Sequence, residues 1–192
     1  MLRRLAILNL PITTKEQIIS VCQQIAKEKG LASINMRSVA AECNVSVGAI
    51  YNYFPSKAEL LCATIESIWR DIFHMSKEQF EFTDFIECLT WLFESIQQGG
   101  KKYPEFLSRH TMVLASENKV IGQKMMQKYL VHLKGHLNEV LRKDTKIRKN
   151  AFNEKLSQAL FVDYVFELFI FSVVNSKQDY QGILELVRRY LY

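Results

Sequence analysis

Asn35-Met-Arg-Ser-Val-Ala-Ala-Glu-Cys-Asn-Val-Ser-Val-Gly-Ala-Ile-Tyr-Asn-Tyr-Phe-Pro-Ser-Lys-Ala-Glu-Leu-Leu61 is the stretch from which the rest of the chain is read. Met36, Val39, Ala40 and Cys43 recur at helical spacing, which predicts a short helix with one apolar face. Asn35 precedes it and can accept an otherwise orphan backbone N–H as an N-cap. Asn44 follows, and asparagine tolerates the left-handed conformation of a tight helix exit. Ser46 then caps a second short helix, VGAIYNYF, whose first turn (Val47, Gly48, Ala49) carries little side-chain bulk. Such a tip can approach another surface closely, with its N–H groups leading. Pro55 ends this helix, because the residue before a proline avoids the helical region. Ser56-x-x-Glu59 is a capping box that opens a third helix at once. Two short helices joined by a tight turn, the second rich in tyrosine at its surface, describe a helix-turn-helix.

The run from Arg37 to Lys57 closely resembles the DNA-binding signature of TetR/AcrR-type transcriptional regulators, roughly IA-x-x-AGVS-x-GTLY-x-YF-x-x-K-x-x-L. Ala40, Val45, Ser46, Gly48, Tyr51, Tyr53, Phe54, Lys57 and Leu60 match that pattern. Cys43-Asn44 stands where Ala-Gly is usual, and Ala49 where threonine is usual. The lost hydroxyl at Ala49 prevents an operator sequence from being carried over from relatives. The resemblance spans 27 of 192 residues. It implies an all-α protein: a three-helix DNA-binding domain over residues 1–55 and a helical ligand-sensing and dimerisation domain over 56–192. The implied DNA contacts are Asn35, Arg37, Ser46, Val47, Gly48, Ala49, Tyr51, Asn52, Tyr53 and Lys57. Tyr51 and Tyr53 would touch phosphates and Lys57 would anchor one, while Asn52, whose amide pairs with adenine, would read base edges.

Composition agrees with an ordered helical globule: 48% of residues are hydrophobic, with only seven glycines and three prolines. Hairpin signals of the Asn-Gly or Asp-Gly kind are absent. Residues 1–60 hold seven basic and four acidic residues; residues 61–192 hold eighteen and sixteen. Positive charge is therefore denser in the part expected to face phosphate. Cys22, Cys43, Cys62 and Cys88 form no C-x-x-C pair and read as small apolar residues of a reducing cytosol. Met1 to Leu8 is too short an apolar run for a signal peptide, which predicts a cytoplasmic protein. Arg3 and Arg4 lie in an N-terminal arm of the kind that reaches minor grooves, although a solvated terminus is the commoner meaning.

The remaining elements follow from capping and periodicity. Thr13-x-x-Glu16 or Thr14-x-x-Gln17 starts a first helix that Gly30 stops. The helix from Ser56 runs to about Lys77 and physically links the two parts, which makes it the expected lever. A helix from Phe82 to Gln98 should break at Gly99-Gly100, and Pro104 should sit in the first turn of another that ends near Ser116. Asn118 should cap a helix to Arg142, and the basic run 142–149 reads as a solvated connector. Residues 150–175 should form the most apolar helix. Asp163, Glu167 and Gln158 argue against a membrane span there, so a face buried by a second subunit is the better account. By resemblance, residues of about 150–192 would pair two copies in a homodimer that binds a double-stranded DNA operator and answers an unknown small-molecule effector.

Nineteen of the 22 aromatic residues lie after residue 60. Trp69, Phe73, Trp91, Phe106, His110, Tyr129 and Phe166 are the candidate ligand-contacting residues, against the plainer meaning that most of them fill the core. His74 is a further possible polar contact. His132 and His136 are four apart with Glu139 beyond, a possible metal face, but spacing supplies no further ligand, so neither metal nor cofactor is expected. No nucleophile elbow or phosphate loop appears, so no enzyme is expected. Two other classes compete with this reading: a helical adaptor with a degenerate helix-turn-helix, and a small enzyme or carrier using the aromatic cavity. Neither explains the order Ser46, Tyr51, Tyr53, Lys57.

Overall fold

Side-chain caps mark where most of the helices begin in the computed structural model, which describes residues 13–73, 82–175 and 180–192. Thr14 and Gln17 form a reciprocal capping box, so α1 (Lys15–Lys29) starts there rather than at Thr13-x-x-Glu16. A short 3-10 turn follows at Leu31–Ser33. Asn35 caps α2 (Met36–Glu42) by accepting from Arg37 and Ser38. Ser46 caps α3 (Val47–Tyr53), and Ser56 caps α4 (Lys57–Ile72). Asp84 caps α5 (Phe85–Lys102), and Ser157 caps α7 (Gln158–Val174). The long α6 (Phe106–Lys143) and α8 (Gln181–Leu191) complete an all-helical chain in which the described residues form no strand.

Helix α4 lies at the centre of the packing. Leu60, Leu61, Ile65 and Ile68 are completely buried along one face. This helix packs against α1, α5 and α6. Gln23 on α1 donates to Ser67 on α4 at 2.8 Å. A polar staple joins the same parts: the Tyr103 hydroxyl donates to Asp71 at 2.6 Å, Lys102 pairs with Asp71 at 2.7 Å, and the Lys27 ammonium lies over the Tyr103 ring at 5.4 Å. Burial raises the Asp71 carboxyl, but the bonds from Lys102 and Tyr103 outweigh it and leave the group below its ordinary value. Buried apolar residues form one continuous cluster from Ile18 to Leu191.

Several boundaries differ from expectation. Helix α5 does not break at Gly99-Gly100 but continues through both. A Cβ on Gly99 would stand 2.7–2.9 Å from Ile72, so this glycine permits close helix packing rather than a stop. Pro104 precedes α6 instead of entering it, and Glu105 takes a left-handed conformation (φ 61°) at the junction. Asn118 does cap a new segment, accepting from Ile121 at 3.1 Å, but as a kink inside α6. Residues 144–157 are not helical, so the apolar helix starts at Gln158 and not at 150.

The basic residues of the run 142–149 are all exposed, as expected of a solvated connector, but some of them also hold neighbouring elements. Lys146 pairs with Asp84 at 2.9 Å, the Arg148 guanidinium lies over the Tyr190 ring at 5.0 Å, and the Arg148 N–H donates to the Leu191 carbonyl at 2.8 Å. Asp144 accepts from the Phe85 N–H at 2.9 Å and from the Tyr192 hydroxyl. Arg3, Arg4, His74, Lys77 and Asp179 lie outside the described residues.

Candidate nucleic-acid interface and cavity

The turn between α2 and α3 is built on Asn44, at φ 54°, the left-handed position that its side chain tolerates. Val45 donates its N–H back to the Ala40 carbonyl at 3.0 Å, and its side chain packs on the core. Ile50 is buried completely and Phe54 almost so, which fixes α3 by its inner face. The outer face presents Gly48, Tyr51 and Asn52, all exposed, with Arg37 exposed on α2 and Ala49 partly so. Tyr51 is 49% exposed, high for an aromatic residue.

Not every expected contact residue is equally available. Tyr53 is half-buried, and its hydroxyl donates to the Thr13 carbonyl at 2.7 Å. Consecutive helical residues are about 100° apart, so Tyr51 and Tyr53 cannot share one face. The expectation of an exposed Tyr53 is thus corrected: it braces α3 against the start of α1. The side-chain oxygens of Asn35 and Ser46 are engaged as caps, and Val47 packs partly against the core. Lys57 is not free either, since its ammonium pairs with Glu117 of α6 at 2.7 Å. Sequence reasoning missed Glu117 because it lies sixty positions away. Its only local signal was its place beside the kink at Asn118.

Gly48 has no internal reason to be glycine. Its helical backbone needs no positive φ, and a Cβ would meet nothing closer than the Ser46 hydroxyl at 3.8 Å.

A cavity of about 360 Å³ opens between the C-terminal end of α4 and α5, α6 and α7. Trp69, Phe73, His110 and Tyr129 line it, as four of the seven candidate aromatic and histidine residues should. Phe106 stands behind the wall, 5.2 Å from Trp69 and 4.9 Å from His110 between ring centroids. Trp91 contacts Phe73 and Phe82 outside the cavity, and Phe166 faces an open groove between α6 and α7. Those three are corrected from lining to supporting or neighbouring positions. His136 packs near Phe82 with its pKa lowered, first by burial, while His132 reaches the cavity. Among the described residues no three His, Cys, Asp or Glu side chains come together in a metal-binding group.

The four thiols are unpaired, and burial pushes Cys22 up to about 11 and Cys88 to about 12. Thiolate chemistry is therefore suppressed at both. Among the described residues no helix is long and apolar enough to cross a membrane.

Residues 18–64 match the family model for bacterial regulatory proteins of the tetR family. A helix-turn-helix-type transcriptional regulator of Haemophilus influenzae is 34% identical over 101 residues, covering 53% of this chain and 51% of the relative. The chain spans about half or less of the length of the curated relatives it matches. A TetR transcriptional regulator from Legionella pneumophila has a solved structure of similar fold (TM-score 0.58, 16% identity, 96% of this chain and all of that one). So has BioQ in complex with its double-stranded DNA operator (TM-score 0.57, 15% identity, 92% and 96%).

Proposed function

The chain belongs to the tetR family of bacterial regulatory proteins through its N-terminal residues, and on that premise we propose that it is a cytoplasmic, ligand-responsive transcriptional repressor that binds a palindromic operator as a homodimer. The observation that carries this reading is the outer face of α3, where Gly48, Tyr51 and Asn52 stand exposed on a helix anchored by Ile50 and Phe54. That face has the shape of an element that enters a major groove. In this reading Asn52 reads base edges, Tyr51 and Arg37 contact phosphates, and Val47 and Ala49 lie against thymine methyls. Lys57 supplies a phosphate anchor once it leaves Glu117.

We divide the chain at residues 55/56. The part from residue 56 onward then dimerises and senses. Tyr164, Leu168, Phe171 and Val174 form an exposed apolar stripe along α7, and Leu186 is exposed on α8. Such a patch on a charged surface fits burial against a second copy. Two-fold symmetry would set the two α3 helices in successive major grooves, about 34–36 Å apart.

Control runs through α4. One end carries Lys57, and the other carries Trp69 beside the cavity, with Phe73 just beyond. An effector must bind the conformer that does not fit DNA more tightly than the one that does, or it shifts nothing. The test is a gel shift on DNA upstream of the gene, with excess competitor and salt near physiological strength. A competitor-resistant band that Tyr51→Ala abolishes supports the reading. If selection from random DNA also yields no palindrome, the reading fails and a protein-binding adaptor takes its place.

A further inference from the structure

Lys57 is the first residue of α4, at the end of the helix where the backbone dipole favours anions and a cation gains nothing. Helix stability therefore does not account for a lysine there. Its ammonium holds the Glu117 carboxylate at 2.7 Å. Glu117 is placed in turn by the kink of α6. The next residue, Asn118, leaves the helical conformation (φ −160°, ψ 99°), and its side chain accepts from the Ile121 N–H to restart the helix. Helix α6 also packs against the Leu31–Ser33 turn that precedes α2. One long helix thus reaches both flanks of the helix-turn-helix, by packing on the entering side and by a charge pair on the leaving side.

Both groups of the pair are partly exposed, so it adds little to stability. What it fixes is which anion the lysine holds. A phosphate can reach Lys57 in two ways: the ammonium leaves Glu117, or the phosphate comes to rest beside a carboxylate. The first gives up an ion pair, and the second sets like charges together. Each opposes DNA binding.

We propose that Glu117 sets the affinity for DNA: in the free protein its carboxylate takes the place of a phosphate on Lys57 and weakens binding to every sequence by the same factor. The proposal rests on the reading of α3 as the DNA-contacting helix and of Lys57 as a phosphate anchor, and adds a residue that acts through that anchor. The effect is equal for all sequences because phosphates carry no sequence information. A merely structural role differs in this respect. If Glu117 served to orient α3, its loss would disturb base contacts and change the ratio of operator to random-sequence affinity.

The experiment measures the affinity of the purified full chain for two duplexes of equal length, one recovered by selection from random DNA and one of random sequence. Wild type, Glu117→Gln, Lys57→Met and the double variant are compared from low to high salt. Glu117→Gln should tighten binding to both duplexes by up to about fivefold at low salt, the range of exposed ion pairs, and leave their ratio unchanged. The gain should fade as salt rises, because screening weakens the pair. In the Lys57→Met background the same change should leave affinity as it is, since no lysine remains to be released. Equal tightening in both backgrounds would reveal a general charge effect and overturn the proposal. Unchanged affinity in the single variant, or an altered ratio of the two duplexes, overturns it as well. Circular dichroism checks the fold of each variant, and if Lys57→Met unfolds, the response of Glu117→Gln on the two duplexes decides alone. A wild type that binds both duplexes alike loses the regulator reading, and the Glu117 proposal then stands or falls on the tightening. Specific binding without tightening does the reverse, and binding to neither duplex overturns both.

Discussion

Gly48 is the residue at which fold and function separate. The space around it inside the protein admits a methyl group, and helical residues generally favour alanine over glycine. Gly48→Ala should therefore raise stability by up to about 1 kcal/mol in chemical denaturation while weakening operator binding in a gel shift. A variant that is more stable and binds DNA as well as before would mean that this face does not meet DNA. His110 gives a second prediction at this scale. Its folded pKa is depressed below 6.5 by burial, so below that pH the unfolded chain takes up a proton that the native chain refuses. Stability is then full above about pH 6.5 and falls as the pH drops below it, by at most ~1.4 kcal/mol per pH unit from this residue. His136, lowered in the same sense, adds to the slope. Denaturant midpoints at several pH values should show the decline, and His110→Asn should flatten it. Carboxylates with depressed pKa, such as the partly buried Asp71 and Asp84, lose their contribution only at lower pH, below the ordinary carboxylate value.

Helices α4 and α6 carry the argument at the scale of elements. Lys57 opens α4, Glu117 stands next to the kink of α6, and their ion pair joins the two. Both groups are about one-third exposed, so the pair adds little to stability. Its weight lies in competition: a lysine held by a carboxylate is not available to a phosphate. Glu117→Gln should leave the thermal midpoint within a degree or two and tighten operator binding severalfold at low salt. Unchanged affinity across a salt series would remove the pair from the coupling path. Helix α6 lines the cavity on both sides of the kink, with Leu107 and His110 before it and Met126, Tyr129 and Leu133 after it. A guest that moves this segment also moves Glu117. Caps at Thr14, Asn35, Ser46 and Ser56 were readable because capping is decided by neighbours within three residues. Gly99 was misread because its use depends on Ile72, which approaches from another helix.

For the whole molecule the question is what covers α7. Phe171 is 54% exposed and Val174 70% exposed, on a helix whose opposite face carries the fully buried Val162. If that stripe meets a second copy, Phe171→Glu should convert a dimer to a monomer in analytical ultracentrifugation and lower operator affinity at least about tenfold, since two half-sites would no longer be joined. A wild-type monomer under the same conditions would contradict the assembly. Asp163 and Glu167, expected on one face of this helix, differ in use: Asp163 pairs with Lys134 at 2.7 Å, while Glu167 stays exposed.

The sequence alone determined the helix-turn-helix, its turn residue Asn44 and the all-helical class, because caps, turn conformations and helical periodicity are local properties. It also placed Trp69, Phe73, His110 and Tyr129 at the cavity from aromatic density. Only the tertiary structure decided that Tyr53 braces α3 against the start of α1 and that Lys57 is held by Glu117. Each of those outcomes depends on a partner forty or more positions away. No pattern along a chain records which side chains will stand opposite each other once the helices have packed.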